Sequence, residues 1–170
     1  LVSALTRHRL DAAVQAAVCT AVLSLACSGS TNRRKLRAAG VATALVAAMD
    51  VHAGDAHVQS AASGAMRALA YGSDTADDAG DMQHYDGAYE LVTAGAIEVL
   101  VSALHTHMHH TDVQTLALHV LRFLGASNAA GAAQRLRDAH AAEATIAAMR
   151  MHPTHPAVQR AGAEVIASLA

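Results

Sequence analysis

The chain has 170 residues, of which 53% are apolar, 15% charged and 2% aromatic, and 43 are Ala; that apolar share excludes disorder, and an Ala-rich interior without Trp points to closely spaced helices rather than sheets. Twelve Lys and Arg against fourteen Asp and Glu give a net charge of −2, which lacks the basic excess of a non-specific nucleic-acid binder. The charge is uneven, with a net +5 over residues 1–40, −7 over 41–95 and zero beyond, each block being read first as a solvated surface.

The chain opens on an apolar segment around Leu5, followed by His8, Asp11 and the pair Val14-Gln15. From Val14 onward apolar residues fall at offsets 4, 7, 8 and 11, ending at Leu25, which is the spacing of one helix face. Cys19 and Cys27 lie eight residues apart on this helix, about 12 Å at the helical rise and too far for a disulfide, so both read as small buried hydrophobes. Arg7 to Cys27 has the outline of a secretion signal, but Asp11 and Gln15 interrupt its apolar run. No stretch of 18 apolar residues exists, and a membrane span is not expected.

A short element follows, with Leu36 four residues before Gly40, and then a helix from Ala44 to Met49. A polar loop through His52 leads to Val58-Gln59 and a second long helix reaching Leu69. The same order recurs twice more. Leu91, Gly95 and the helix from Ile97 to Leu104 precede Val113-Gln114, while Leu136, His140 and Ile146 to Met149 precede Val158-Gln159. Leu5, Met49, Leu104 and Met149 stand nine residues before the four Val residues, and His8, His52, His107 and His152 stand six before them. A repeat of this consistency predicts long helices beginning near residues 11, 55, 111 and 156. Each unit reads as a short helix, a Gly turn that reverses the chain, a middle helix, a polar loop and a long helix.

The Val-Gln separations are 44, 55 and 45 residues, so the second unit carries about eleven extra residues. They fall within 71–86, an acidic, Gly-containing stretch that reads as a surface loop and whose carboxylates would compete with any acidic ligand. The units are 1–40, 41–95 with this insert, 96–140 and 141–170. The first lacks its short helix and the last ends on a long helix without a polar cap, so the 170 residues are expected to be part of a longer array. Uncapped ends would also favour end-to-end self-association.

The pattern resembles armadillo repeats, carried by Leu91 through Gly95 and Ile97 to Leu104 with Asp112-Val113-Gln114 after it, and by Asn32 through Leu36 to Gly40. HEAT repeats, which lack the Gly-terminated short helix, match less well. The resemblance implies an all-α fold, a right-handed superhelical solenoid of about four repeats whose long helices line a concave groove for extended peptides. In the nuclear-import adaptors of this family the groove carries a Trp and, four residues on, an Asn. The matching positions here are Thr20, Gly64, His119 and Glu164, then Ser24, Ala68, Phe123 and Ser168, so that mechanism does not carry over.

Chemistry-bearing motifs are sparse. His105, His107, His109 and His110 suggest a metal site, but only His105 and His109 share a helix face and no Cys or Glu completes the set. Asp74, Asp77, Asp78 and Asp81 lack the calcium-loop alternation and its distant Glu. No nucleophile elbow or phosphate-cradling glycine loop is present, so no catalytic residue, metal or cofactor is expected. The repeated His column is expected to bond loop carbonyls near the end of each middle helix, with a pH-sensing row as the alternative. Outward positions on the long helices leave Arg67, His119, Arg122, Phe123 and Arg160 as candidate groove residues. The expected function is an interaction scaffold, not an enzyme, binding another protein or an acidic or extended peptide in the cytoplasm, with the nucleus second. The alternative is a regulatory segment of a larger multidomain enzyme. Neither nucleic acid nor membrane is expected as a partner.

Overall fold

A computed structural model describes residues 1–71, 84–127, 129 and 131–169, with the backbone alone at 71 and 84–86. The described residues contain helices and no strands. In order they are α1 (Val2–Arg7), α2 (Ala12–Cys27), α3 (Ser30–Ala38), α4 (Val41–Val51), α5 (Ala56–Tyr71), α6 (His84–Ala94), α7 (Ala96–Thr106), α8 (Thr111–Ala126), α9 (Ala132–Asp138), α10 (Ala141–Met151) and α11 (Pro156–Leu169). The four long helices α2, α5, α8 and α11 start within one residue of the positions expected from Val-Gln. Most of the acidic insert, 72–83, lies outside the described residues. Its expected edges do not behave as loop, since Tyr71 ends α5 and residues 84–86 open α6.

Packing follows the repeat. Each long helix lies against the next, α2 on α5, α5 on α8 and α8 on α11, while the middle helices α1, α4, α7 and α10 pack in the same succession. Short helices α3 and α9 close against the long and middle helices on either side of them in sequence. Glycine serves the reversal between short and middle helix at Gly40 and Gly95, with φ of 73° and 93°. The equivalent His140 takes the same left-handed conformation at φ 55°, where a side chain costs roughly 1 kcal/mol.

Val and Gln of the repeated pair have different tasks. Val58, Val113 and Val158 are fully or almost fully buried, and each neighbouring Gln clamps the end of the middle helix. Gln15 Nε2 donates to the carbonyls of Leu5 and His8, both at 2.9 Å. Gln59 donates to Met49 and His52 at 2.7 and 3.0 Å, Gln114 to Leu104 and His107 at 2.8 and 3.0 Å, and Gln159 to Met149 and His152 at 2.7 and 3.0 Å. A helix leaves its last carbonyls without intrahelical donors, and an amide NH2 has two hydrogens to give. One buried side chain therefore satisfies two orphans.

The His column completes this arrangement between units. Nε2 of His52 lies 2.8 Å from the carbonyl of Arg9, that of His107 2.7 Å from Ala53 and that of His152 2.7 Å from Met108. Each ring donates to a loop carbonyl, as expected, but the acceptor belongs to the preceding unit and immediately follows that unit's own column His. The histidines thus tie successive loops together.

Several expectations about burial need correction. Cys19 is buried but Cys27 is exposed, at the last residue of α2. Leu25, expected on the covered face, is 41% exposed, whereas its equivalents Leu69 and Leu124 are 3% and 0% exposed. In the last described unit Ile146 and Met151 are each 41% exposed. Arg33, counted in the basic block as solvated, is 5% exposed and donates from Nη1 to the carbonyl of Ala26 at 2.9 Å, satisfying the end of α2.

Candidate functional site

At 100° per residue, the offsets 2, 6 and 9 from each repeated Val point within an arc of about 60° on the far side of the long helix. That face is not covered by the middle helices. Its N-terminal part forms a shallow groove of about 510 Å³ crossing α2, α5 and α8, floored by Ala16, Ala61 and Leu116. Thr20, His57, Ser60, Asp112 and Thr115 rim it, with His155 at its far end. Except for Thr20, noted as the counterpart of a Trp, and Asp112, named within the armadillo-like stretch, these groove residues were not singled out in the sequence. Ala16, Ser60 and Thr115 share offset 2 on the outward arc, whereas His57 and Asp112 at offset −1 and Ala61 and Leu116 at offset 3 flank it.

The sequence-derived candidates occupy the next level along the same face. Arg67 on α5 and Arg160 on α11 are exposed, and His119 on α8, between those helices, is half-buried. Burial first, and then the charges of Arg67 and Arg160, hold the His119 imidazole below its ordinary pKa, with Glu164 opposing them. The three groups therefore share one electrostatic environment.

Arg122 and Phe123 are placed differently. The Arg122 guanidinium pairs with Glu164 of the next long helix, Nε to Oε2 at 3.1 Å, both side chains being partly exposed. It is a cross-unit ion pair rather than an independent groove cation. Phe123 is half-buried and packs against the core.

A recurring diagonal explains these contacts. Offset 9 of one long helix meets offset 6 of the next. In the first junction a Cβ added at Gly64 would lie 3.5 Å from Leu23 Cδ2; in the third, Arg122 meets Glu164. In the middle junction the equivalent positions are Arg67 and His119, whose ring feels the Arg67 charge. The side chains change from apolar contact, to cation facing imidazole, to cation facing carboxylate, while the backbone relation stays constant.

Other chemical candidates are accounted for by their surroundings. Among the described residues no three His, Cys, Asp or Glu side chains are grouped to hold a metal ion, and within the His105–His110 cluster the His107 ring is committed to the Ala53 carbonyl. Burial pushes the Cys19 thiol up to about 12, which keeps it protonated and unreactive at neutral pH. No single described helix is long and apolar enough to cross a membrane. No family model, curated protein or solved structure matches this chain.

Proposed function

We propose that the chain is an armadillo-type solenoid segment acting as an interaction scaffold, and that it holds an extended acidic peptide along the outward face of its long helices. The observation that carries this reading is the groove crossing α2, α5 and α8, beside which Arg67 and Arg160 stand without a carboxylate partner among the described residues. A peptide lying across successive helices meets one set of side chains per unit, so its sequence is read in steps of about 10 Å, the spacing of packed helices. The small floor residues Ala16 and Ala61 let a backbone approach closely. Thr20, Ser60 and Thr115 offer hydroxyl groups to it.

Acidic character follows from charge. Residues 41–95 are acidic overall, yet their single basic side chain, Arg67, lies on this face. Fluorescence anisotropy with labelled twelve-residue peptides of matched composition tests the reading. Acidic peptides should bind the full chain more tightly than neutral or basic ones, and the combined change Arg67→Ala and Arg160→Ala should remove most of that preference. Equal binding before and after the double change would move the interaction surface to another face.

A further inference from the structure

We propose that Arg67, His119 and Arg160 form a phosphoryl-binding site, so that the groove's ligand is a peptide segment carrying a phosphorylated Ser or Thr. The inference rests on the peptide-binding reading above and specifies what that peptide must carry. Its starting point is the diagonal between offset 9 and offset 6. In the third junction the cation at offset 9 has its anion built into the protein, Arg122 facing Glu164 at 3.1 Å. In the middle junction the equivalent cation, Arg67, stands in register with His119 and acts on its ring, and among the described residues no carboxylate pairs with it. The missing partner of this junction is assigned to a negative group on the ligand.

The neighbourhood sets the charge of that group. The charges of Arg67 on α5 and of Arg160 and Glu164 on α11 all act on the His119 ring. Glu164 is engaged by Arg122, which leaves Arg67 and Arg160, on the helices either side of the imidazole, without a carboxylate partner among the described residues. A carboxylate neutralises one of them. A phosphoryl group near neutral pH carries a charge of about −1.5 to −2 and three acceptor oxygens, enough for both guanidiniums and the imidazole N–H together. Arginine forks suit such oxygens, and each charge-assisted contact adds to selection against a monoanion.

The placement also allows the span. Arg67, His119 and Arg160 stand at offsets 9, 6 and 2, so successive Cα positions drop by about 4.5 and 6 Å along roughly parallel axes spaced about 10 Å apart. Extended arginine side chains reach inward from both sides toward the central ring. Both are exposed and free to move to the ligand, while His119 is half-buried and fixed.

His119 adds a pH signature. Its imidazole is held below its ordinary pKa in the free chain by burial and by the charges of Arg67 and Arg160, and a bound dianion acts in the opposite sense. Binding therefore favours proton uptake by the ring, and affinity for the phosphopeptide rises as pH falls toward the ordinary imidazole value of 6.5. His119→Gln keeps a donor but removes that dependence.

The test compares three labelled peptides identical except for a central Ser, Glu or phosphoserine, measured by anisotropy on the full chain. The phosphoserine peptide should bind about tenfold more tightly than the Glu peptide, and Arg67→Ala or Arg160→Ala should each cost about tenfold. Arg150→Ala, an exposed arginine on α10, should change little, and circular dichroism should show every variant to be folded. Equal affinity for Glu and phosphoserine overturns the phosphoryl site but leaves the acidic-peptide reading intact. Failure of all three peptides, with acidic peptides of other sequence also failing, overturns both. An equal loss from Arg150→Ala shows diffuse charge attraction and also overturns the site.

Discussion

The two faces of the long helices obey opposite rules. On the inner face the same residue types return in every unit: a Val, buried in the last three units, a Gln clamping two carbonyls, and apolar side chains at the helical offsets that follow. On the outer face equivalent positions hold Thr20, Gly64, His119 and Glu164, four residues with no common chemistry. The inner face repeats because every unit solves the same packing problem. The outer face varies because solvent imposes no such problem, and its differences are available for recognition.

The sharpest way to break the inner face is to open a cavity. Leu121 on α8 has no exposed surface, so Leu121→Ala should lower unfolding free energy by about 3–4 kcal/mol in urea titrations, against less than about 0.5 kcal/mol for Arg67→Ala on the outer face. A comparable loss from both would erase the distinction.

Glycines give a second contrast of opposite sign. A Cβ at Gly87 in α6 would stand 2.5 Å from the Leu69 carbonyl oxygen, a backbone atom that can yield only by moving α5. Gly87→Ala should therefore cost about 2–3 kcal/mol. Gly64 leaves room for a methyl group on the outer face, and Gly64→Ala should stabilise by roughly 0.5–1 kcal/mol through helix propensity. Thermal melts of the two variants should shift in opposite directions.

Loss of one clamp should be intermediate. Gln114→Ala strips donors from the Leu104 and His107 carbonyls and should cost about 2 kcal/mol, whereas Thr115→Ala, one residue away on the groove, should stay within about 0.5 kcal/mol. Hydrogen exchange at the end of α7 should accelerate only in the Gln114 variant.

The smallest effect is electrostatic. His119 has a lower pKa folded than its ordinary 6.5, so the folded chain binds fewer protons than the unfolded one. Stability contributed by this group is complete above the ordinary value and declines as pH falls through the interval down to the lowered value. Titration of the ring by NMR should show Arg67→Ala or Arg160→Ala raising its midpoint, and the acid-side loss shrinking with it. An unchanged midpoint in both variants would mean that the arginines do not face the ring.

Much of the helical order was legible in the residues. The Val-Gln anchors gave the long helices to within one residue because a repeated buried pair carries both periodicity and position. Gly40 and Gly95 marked reversals because only glycine takes a left-handed turn without cost, and His140 was found only by its alignment with them. The inter-unit direction of the His bonds was not legible, since sequence distance does not say whether a loop meets its own helix or its predecessor. The exposure of Leu25 was hidden for a related reason: an offset names a face, not whether a neighbour covers it. At the groove, the equivalence of Arg67 and Arg122 was visible, but their different fates depend on what the following helix presents at offset 6. His57, Ser60 and Thr115 escaped notice because solvent-facing polar residues on a helix carry no pattern of their own.

The His-to-carbonyl bonds carry a consequence for how such a chain can change its length. Each spans one unit and no more, joining residues 43, 54 or 44 positions apart, and the donor and the acceptor are offered by every intervening loop in the same register. Excising or duplicating one whole unit between equivalent residues would reconnect each ring to an acceptor of the same kind, while removing part of a unit would shift the remaining donors out of line. Unequal recombination is thereby filtered by geometry: insertions and deletions of a full period leave a complete ladder, and those of any other length must be accommodated outside it.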